Sequence, residues 1–73
     1  MELFHTINDL PSATVRRRVD ELGLLPKLRY RNIHFPEAKA DFEAHGGQLL
    51  PALWDGENLI QGEAEVLAAL EKL

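Results

Sequence analysis

A proline interrupts a strand-like apolar stretch of this chain and limits the folds that can accommodate it. Residues 48–54 read Gln-Leu-Leu-Pro-Ala-Leu-Trp and are bounded by turn-forming residues, which predicts a buried strand. Pro51 has no backbone N–H and cannot donate a hydrogen bond to a neighbouring strand, so proline is normally excluded from central strands. The stretch is compatible with a buried strand if the peptide bond before Pro51 bends the chain where the strand begins, for example as a cis bond.

Proline and glycine residues divide the chain into strand-like and helix-like segments. Strands are predicted at residues 2–7, 27–33, 48–54 and 58–60, and helices from about Pro11 to Leu22, from about Pro36 to His45, and from Gly62 to the C-terminus. In the first helix, Val15, Val19 and Leu22 follow a helical spacing and form one apolar stripe. Asp55-Gly56 is a strong hairpin signal between the last two strands. The order β-α-β-α-β-β-α predicts an α/β fold with a mixed four-stranded sheet covered by three helices.

The length of 73 residues indicates a single small domain, residues 1–73. Apolar residues make up 45% of the chain and charged residues 27%, as in ordinary globular proteins, so the chain is expected to fold. A domain of this size leaves little room for a deep substrate cavity. Large aromatic side chains favour the interior, and four of them are expected to be buried or half-buried packing residues. These are Phe4, Phe35, Phe42 and Trp54.

The chain contains no cysteine. This excludes disulfides, thiolate nucleophiles, dithiol redox chemistry and cysteine-ligated metal sites. The three histidines, His5, His34 and His45, are scattered without metal-ligand spacing, so no metal site is expected. No apolar run approaches the ~20 residues of a membrane span, and the N-terminus lacks the features of a signal peptide. We therefore expect a cytoplasmic protein without membrane association.

The net charge of −4 is distributed unevenly along the chain. Residues 1–36 carry a net charge of +2, and residues 37–73 carry −6. An acidic total argues against general nucleic-acid binding. Arg16, Arg17 and Arg18 form a local basic cluster, but three consecutive residues of a helix do not share one face. A solvated helix surface is the simpler interpretation of this cluster.

The order of segments, with a proline at the start of the third strand, resembles the thioredoxin fold and, more narrowly, the glutaredoxins and the N-terminal domain of glutathione S-transferases. The opening LFHT, the Pro-Ser turn and VRRRVDELGL resemble the first strand, active-site turn and first helix of these proteins. GGQLLPALWDGENLIQG resembles the stretch in which a Val-Pro pair opens the third strand, and EAEVLAALEKL resembles the last helix. The resemblance covers essentially the whole chain and implies a minimal thioredoxin-like domain.

The resemblance also implies a set of ligand-binding residues. In these families the residue before a cis-proline pairs its backbone N–H and C=O with glutathione or with an extended peptide, and here that residue is Leu50, before Pro51. Transferases hold the γ-glutamyl end of glutathione with a Glu or Gln followed by Ser, and the matching pair is Gln61-Gly62. Gly62 lacks the hydroxyl but keeps a backbone N–H at a helix N-terminus, where it can donate to an anion. The implied groove lies between the Pro11–Ala13 turn and Leu50-Pro51 and would bind glutathione, a peptide or a protein partner.

The chain departs from the family pattern at the active-site turn. Leu10-Pro11-Ser12-Ala13 stands where glutaredoxins carry cysteine, so thiol–disulfide exchange is excluded. Ser12 is the only candidate for the hydroxyl that stabilises the glutathione thiolate in transferases, with Thr6 and His5 as helpers, and its alternative role is a helix cap. The helical second domain that holds the electrophile in transferases has no counterpart in these residues. We therefore expect a non-redox binding module, with a glutathione-dependent enzyme that uses Ser12 as the alternative.

A further alternative is a winged-helix-like DNA-binding domain, because PSATVRRRVDELGLLP resembles a recognition helix and the turn that follows it. Thr14, Arg16 and Arg17, with Arg18 as a further candidate, would then contact phosphates and base edges in the major groove. This interpretation needs a helix directly before the turn, where residues 3–8 instead predict a strand. The net charge also has the wrong sign, so nucleic acid is not the expected partner.

Overall fold

A computed structural model describes all residues from Met1 to Leu73. Its four strands are β1 (Glu2–His5), β2 (Arg29–Asn32), β3 (Ala52–Trp54) and β4 (Leu59–Gln61), and its helices are α1 (Leu10–Glu21), α2 (Pro36–Ala44) and α3 (Glu63–Leu70). A single 3₁₀ turn, Leu25–Lys27, lies between α1 and β2. The predicted order of elements and the mixed four-stranded sheet with three helices are confirmed. None of the helices has the length and apolar character needed to cross a membrane.

The sheet has the strand order β2-β1-β3-β4. β1 pairs with β2 in parallel, whereas β3 is antiparallel to both β1 and β4. The carboxyl ends of β1, β2 and β4 therefore lie at the same edge of the sheet as the amino end of β3. Since each of those three strands is followed by a helix, the N-termini of all three helices lie at this edge as well. We call this end of the sheet, where the strands meet the loops, the loop edge. It comprises residues 6–10, 33–36, 48–51 and 62–63 and is distinct from the open sides of the outermost strands.

β1 separates two apolar clusters because successive residues of a strand point to opposite faces. Leu3 packs on the face covered by α1 and α3, in the cluster Leu3, Val15, Val19, Leu24, Leu53, Val66 and Leu70. Phe4 packs on the opposite face, covered by α2, in the cluster Phe4, Phe42 and Ala52. The rings of Phe4 and Phe42 lie 5.6 Å apart between centroids in a tilted arrangement. The sheet is therefore buried on both faces at its centre.

Three elements, β3, α1 and β1, differ slightly from their predicted limits, and side-chain hydrogen bonds account for the limits of α1 and β1. The Leu50-Pro51 peptide bond is cis, as suggested by the sequence, and the strand begins only at Ala52, whereas it was predicted from residue 48. α1 begins at Leu10 because the Asp9 carboxylate caps it, accepting from the Ser12 N–H at 3.2 Å. β1 ends at His5, two residues earlier than predicted, and the Thr6 N–H donates to the Ser12 hydroxyl.

The predicted hairpin between β3 and β4 forms around Asp55 and Gly56. The Asp55 carboxylate accepts from the backbone N–H groups of Asn58 at 2.7 Å and of Glu57 at 2.8 Å. These two hydrogen bonds lower the pKa of Asp55, with that from Asn58 contributing most. Gly56 has a φ of +105°, a conformation that glycine adopts without steric cost. The strong turn signal in the sequence thus corresponds to a turn held by its own side chain.

Gly47 offers a test of how tightly α2 is packed against the chain that follows it. A methyl group at this position would overlap the ring of Phe42, which is buried against Phe4. We expect Gly47→Ala to lower the free energy of unfolding by about 1–3 kcal/mol, as overpacking typically does, measured by urea denaturation. In a Phe42→Leu background the same substitution should cost less, because the ring is gone. An equal cost in both backgrounds would contradict this explanation.

Candidate functional site

Four of the six residues that the sequence predicted as ligand-binding lie together: Leu50, Pro51 and Gly62 at the loop edge, and Gln61 at the adjoining end of β4. The Gly62 N–H donates to the Pro51 carbonyl at 2.8 Å. The Gln61 carboxamide oxygen accepts from the backbone N–H groups of Gln48 at 2.8 Å and of Leu49 at 2.9 Å. Residues 48–51 are therefore held against the end of β4 and the start of α3 by three hydrogen bonds.

The backbone of Leu50 is left without a partner in this arrangement. Its N–H and its C=O form no hydrogen bond within the chain, although the N–H groups of Gln48 and Leu49 and the carbonyl of Pro51 are all bonded. The Leu50 side chain packs against the cluster around Phe4. The side chain thus anchors the residue while one donor and one acceptor of its backbone remain available for another molecule.

Gly62 is a structural residue at the beginning of α3. Its φ is +94°, and a side chain at this position would also crowd the side chain of Leu49. Because its N–H is bonded to Pro51, that N–H is not available to an anionic ligand. The first turn of α3 also carries Glu63 and Glu65, whose carboxylates interact favourably with the positive end of the helix dipole. These two negative charges in the first turn disfavour an anionic ligand at the start of α3.

Ser12 lies inside the molecule. It has no exposed surface, and its hydroxyl donates to the Asp9 carboxylate at 2.9 Å while accepting from the Thr6 N–H at 3.3 Å. Both roles of the hydroxyl are therefore filled within the fold, and Asp9 is the residue that caps α1. Pro11, the neighbouring ligand candidate, is half-buried in the first turn of the same helix.

A hydrogen-bonded group built on Arg16 fixes the end of β1. The Arg16 guanidinium donates to the Thr6 carbonyl at 2.8 Å and bonds His5 Nδ1 at 2.9 Å. The Thr6 hydroxyl in turn bonds His34 Nε2 at 3.0 Å, which links the first loop to the loop after β2. Burial and, to a smaller extent, the neighbouring Arg16 charge lower the pKa of His5. His5 is therefore a neutral hydrogen-bond acceptor for Arg16 at neutral pH.

The three consecutive arginines of α1 have different partners. Arg16 is turned toward His5 and Thr6, and Arg18 forms ion pairs with Glu21 at 3.2 Å and Glu71 at 2.6 Å. Arg17 is exposed and forms no ion pair. β1 rather than a helix precedes α1, so the helix that a winged-helix arrangement requires before its turn is not present. The arginines do not form one basic face.

Exposed apolar side chains on the loop edge were missed by the sequence interpretation. Phe35, expected to be a packing residue, is 63% exposed, and Leu10 is 77% exposed. Ile7 and Leu49 are also exposed, at 63% and 56%. Phe35 directly precedes the proline that opens α2 and is the N-cap residue, so it lies outside the helix itself, and this position was the available signal. Four large exposed apolar residues at this end of the sheet make it a candidate interaction surface.

Comparisons with protein-family models, with curated proteins and with solved structures found no significant match for this chain. The fold contains no group of three or more His, Cys, Asp or Glu side chains that could hold a metal ion. The loop edge therefore has to be interpreted from its own geometry: an unbonded backbone segment at Leu50 and apolar side chains in the surrounding loops.

The Gln61 side chain is expected to hold the segment before Pro51 in place. We expect Gln61→Ala to accelerate amide hydrogen exchange at Gln48 and Leu49 and to lower the free energy of unfolding by about 1 kcal/mol, because their acceptor is lost. Gln61→Glu, which keeps an acceptor oxygen, should preserve slow exchange at both amides. The matched control is Gln48→Ala, since the Gln48 side chain makes no hydrogen bond. Unchanged exchange in Gln61→Ala would refute this role.

The environment of His5 predicts a pH dependence of stability. The pKa of His5 is lowered in the folded state, so the unfolded chain binds more protons as the pH falls through the ordinary histidine range. We expect the free energy of unfolding to be at its highest above the ordinary pKa of 6.5 and to decrease as the pH falls below it. His5→Gln should flatten this part of the profile. A profile that keeps its full slope in His5→Gln would contradict the assignment.

Proposed function

We propose that this chain is a thioredoxin-like domain that acts as a non-redox binding module for an extended peptide segment of a partner protein. Three features support the fold assignment. The strand order is β2-β1-β3-β4 with one parallel and two antiparallel pairs, a cis-proline precedes β3, and one helix faces the two others across the sheet. Together with the sequence resemblance, these features favour a minimal domain of the glutaredoxin type.

The observation that carries the binding proposal is the unbonded backbone of Leu50. A peptide in extended conformation can accept a hydrogen bond from the Leu50 N–H and donate one to the Leu50 C=O, as an additional strand does beside a sheet. The Leu50 side chain is packed against the cluster around Phe4, so Leu50 offers its backbone to the peptide. This recognition uses the backbone of the peptide and tolerates different residues at the paired position. Such pairing also satisfies two polar groups that nothing in the chain satisfies.

The surroundings of Leu50 favour a peptide over glutathione. Ile7, Leu10, Phe35 and Leu49 offer exposed apolar surface for side chains on either side of the paired residue. Glutathione carries two carboxylates, whereas the nearby first turn of α3 carries Glu63 and Glu65 and the Gly62 N–H is already bonded. The proposal includes no covalent step, since the Ser12 hydroxyl is buried and occupied.

The test is an amide-resolved NMR titration of the ¹⁵N-labelled chain with a capped, uncharged peptide of alternating valine and threonine. We expect the Leu50 amide to shift and to exchange its hydrogen more slowly, because it donates to the peptide. Reduced glutathione, used as a second probe, should produce weaker shifts. If neither probe at millimolar concentration alters the Leu50 amide, the proposal is wrong.

A pair of leucine variants tests the apolar surface around this residue. Leu10→Ser should weaken binding of the valine–threonine peptide about tenfold, which corresponds to about 1.4 kcal/mol of lost apolar contact. Leu25→Ser is the matched control, because Leu25 is also exposed but lies in the 3₁₀ turn away from the loop edge. Equal affinities of the two variants would show that the apolar surface of the loop edge does not contribute.

A further inference from the structure

β2 forms an open edge of the sheet that the proposed function does not use. It lies at the end of the strand order and pairs only with β1. The Arg29 N–H donates to the Met1 carbonyl and the Ile33 N–H to the His5 carbonyl, both at 3.0 Å. Because hydrogen-bonding direction alternates along a strand, the backbone N–H groups of Tyr30 and Asn32 point away from β1. The Asn32 carbonyl already accepts from the Phe35 N–H at 3.0 Å, so the outer edge of β2 presents the N–H and C=O of Tyr30 and the N–H of Asn32 to a further strand.

Residues 22–36, which contain β2, have a basic character that contrasts with the rest of the chain. They include Lys27, Arg29 and Arg31 and no Asp or Glu, whereas the chain as a whole has a net charge of −4. Arg31 is neutralised by ion pairs with Glu2 and, at 2.7 Å, with Asp41. Lys27 and Arg29 are exposed and have no acidic partner. Two cations are thus available to a molecule that approaches this edge.

The side-chain surroundings provide room for residues of an added strand. A cavity of about 230 Å³ lies beside β2 and reaches the first turn of α2. Its walls include the exposed rings of Tyr30 and Phe35 and the side chain of Arg29, and Glu37 is its only carboxylate. An apolar side chain of an added strand can occupy this space while its acidic neighbours face Lys27 and Arg29.

We propose that the outer edge of β2 binds an extended acidic segment of a partner protein as a fifth strand of the sheet. The partner's backbone pairs with Tyr30 and Asn32, and its carboxylates interact with Lys27 and Arg29. A second copy of this chain is a poor occupant, because β2-to-β2 pairing brings the Arg29 and Lys27 charges of the two copies together. This site shares Phe35 with the loop edge but uses the backbone of β2 rather than that of Leu50, and it does not depend on the function proposed for the loop edge.

The first experiment compares two capped peptides in NMR titrations of the ¹⁵N-labelled chain. The acidic probe has the sequence Glu-Thr-Glu-Val-Glu-Thr-Glu, and the control has lysine in place of each glutamate. We expect the acidic peptide to shift the amides of Tyr30 and Asn32 and to slow their hydrogen exchange about tenfold or more, while the lysine peptide leaves them unchanged. Higher salt should weaken the interaction, because the charges involved are exposed.

Charge-reversal variants test whether the β2 cations select the partner. Arg29→Glu should weaken binding of the acidic peptide about tenfold, equivalent to about 1.4 kcal/mol, and should improve binding of the lysine peptide. Lys72→Glu, which makes the same charge change beyond the end of α3, is the control and should leave both affinities nearly unchanged. Since Arg29 is exposed, the variant is expected to keep the amide spectrum of a folded chain.

Several results would overturn the proposal. These are equal binding of the two peptides, unaltered exchange at Tyr30 with millimolar acidic peptide, and shifts confined to Leu49 and Leu50. A stable dimer in sedimentation velocity whose interface protects the Tyr30 amide would also overturn it, because a second copy would then be the occupant. Failure at β2 with intact peptide binding at Leu50 would leave the loop-edge proposal standing, and the reverse result would leave only the β2 proposal.

Discussion

The structure depends on the pairing of β1 with a strand on each side. β1 pairs with β2 in the parallel direction and with β3 in the antiparallel direction. The side chains of Leu3 and Phe4 in β1 point to opposite faces of the sheet. Leu3 joins the core beneath α1 and α3, while Phe4 joins the core beneath α2. Because one short strand supplies both cores, a domain of only 73 residues buries apolar side chains on both faces of its sheet. The α2 side is the smaller of the two, with three buried residues.

The same arrangement of strands creates the loop edge. β1, β2 and β4 all end there, and each is followed by a helix whose N-terminus lies at the same edge. Hydrogen bonds between distant residues join the loops: Thr6 with His34, and Gln61 with Gln48 and Leu49. In residues 48–51 these bonds and that of the Pro51 carbonyl leave Leu50 as the one residue whose backbone forms no hydrogen bond. The surface proposed to bind a peptide is thus a consequence of which backbone groups the loops leave unbonded.

Much of the fold could be predicted because its signals are local. The apolar stripe of α1, the Asp-Gly turn and the prolines at the starts of helices are each contained within a few residues. The limits of the elements were less accurate, since Asp9 and Ser12 compete for the same capping role and sequence does not show which carboxylate or hydroxyl takes it. Residue type favours a buried Phe35, because large aromatic residues usually lie in the core, but Phe35 precedes the first residue of α2 and is 63% exposed.

The amino-acid sequence by itself determined the order of elements, the absence of thiol chemistry and the proline that begins the third strand, because each depends on residue type and short-range spacing. Only the tertiary structure decided that Ser12 is buried, that Arg16 turns inward to His5, and that Leu50 keeps an unbonded backbone. Each of these depends on contacts between segments far apart in the chain. The pairing register and the packing of helices on the sheet determine which polar groups are satisfied, and no local pattern contains that information.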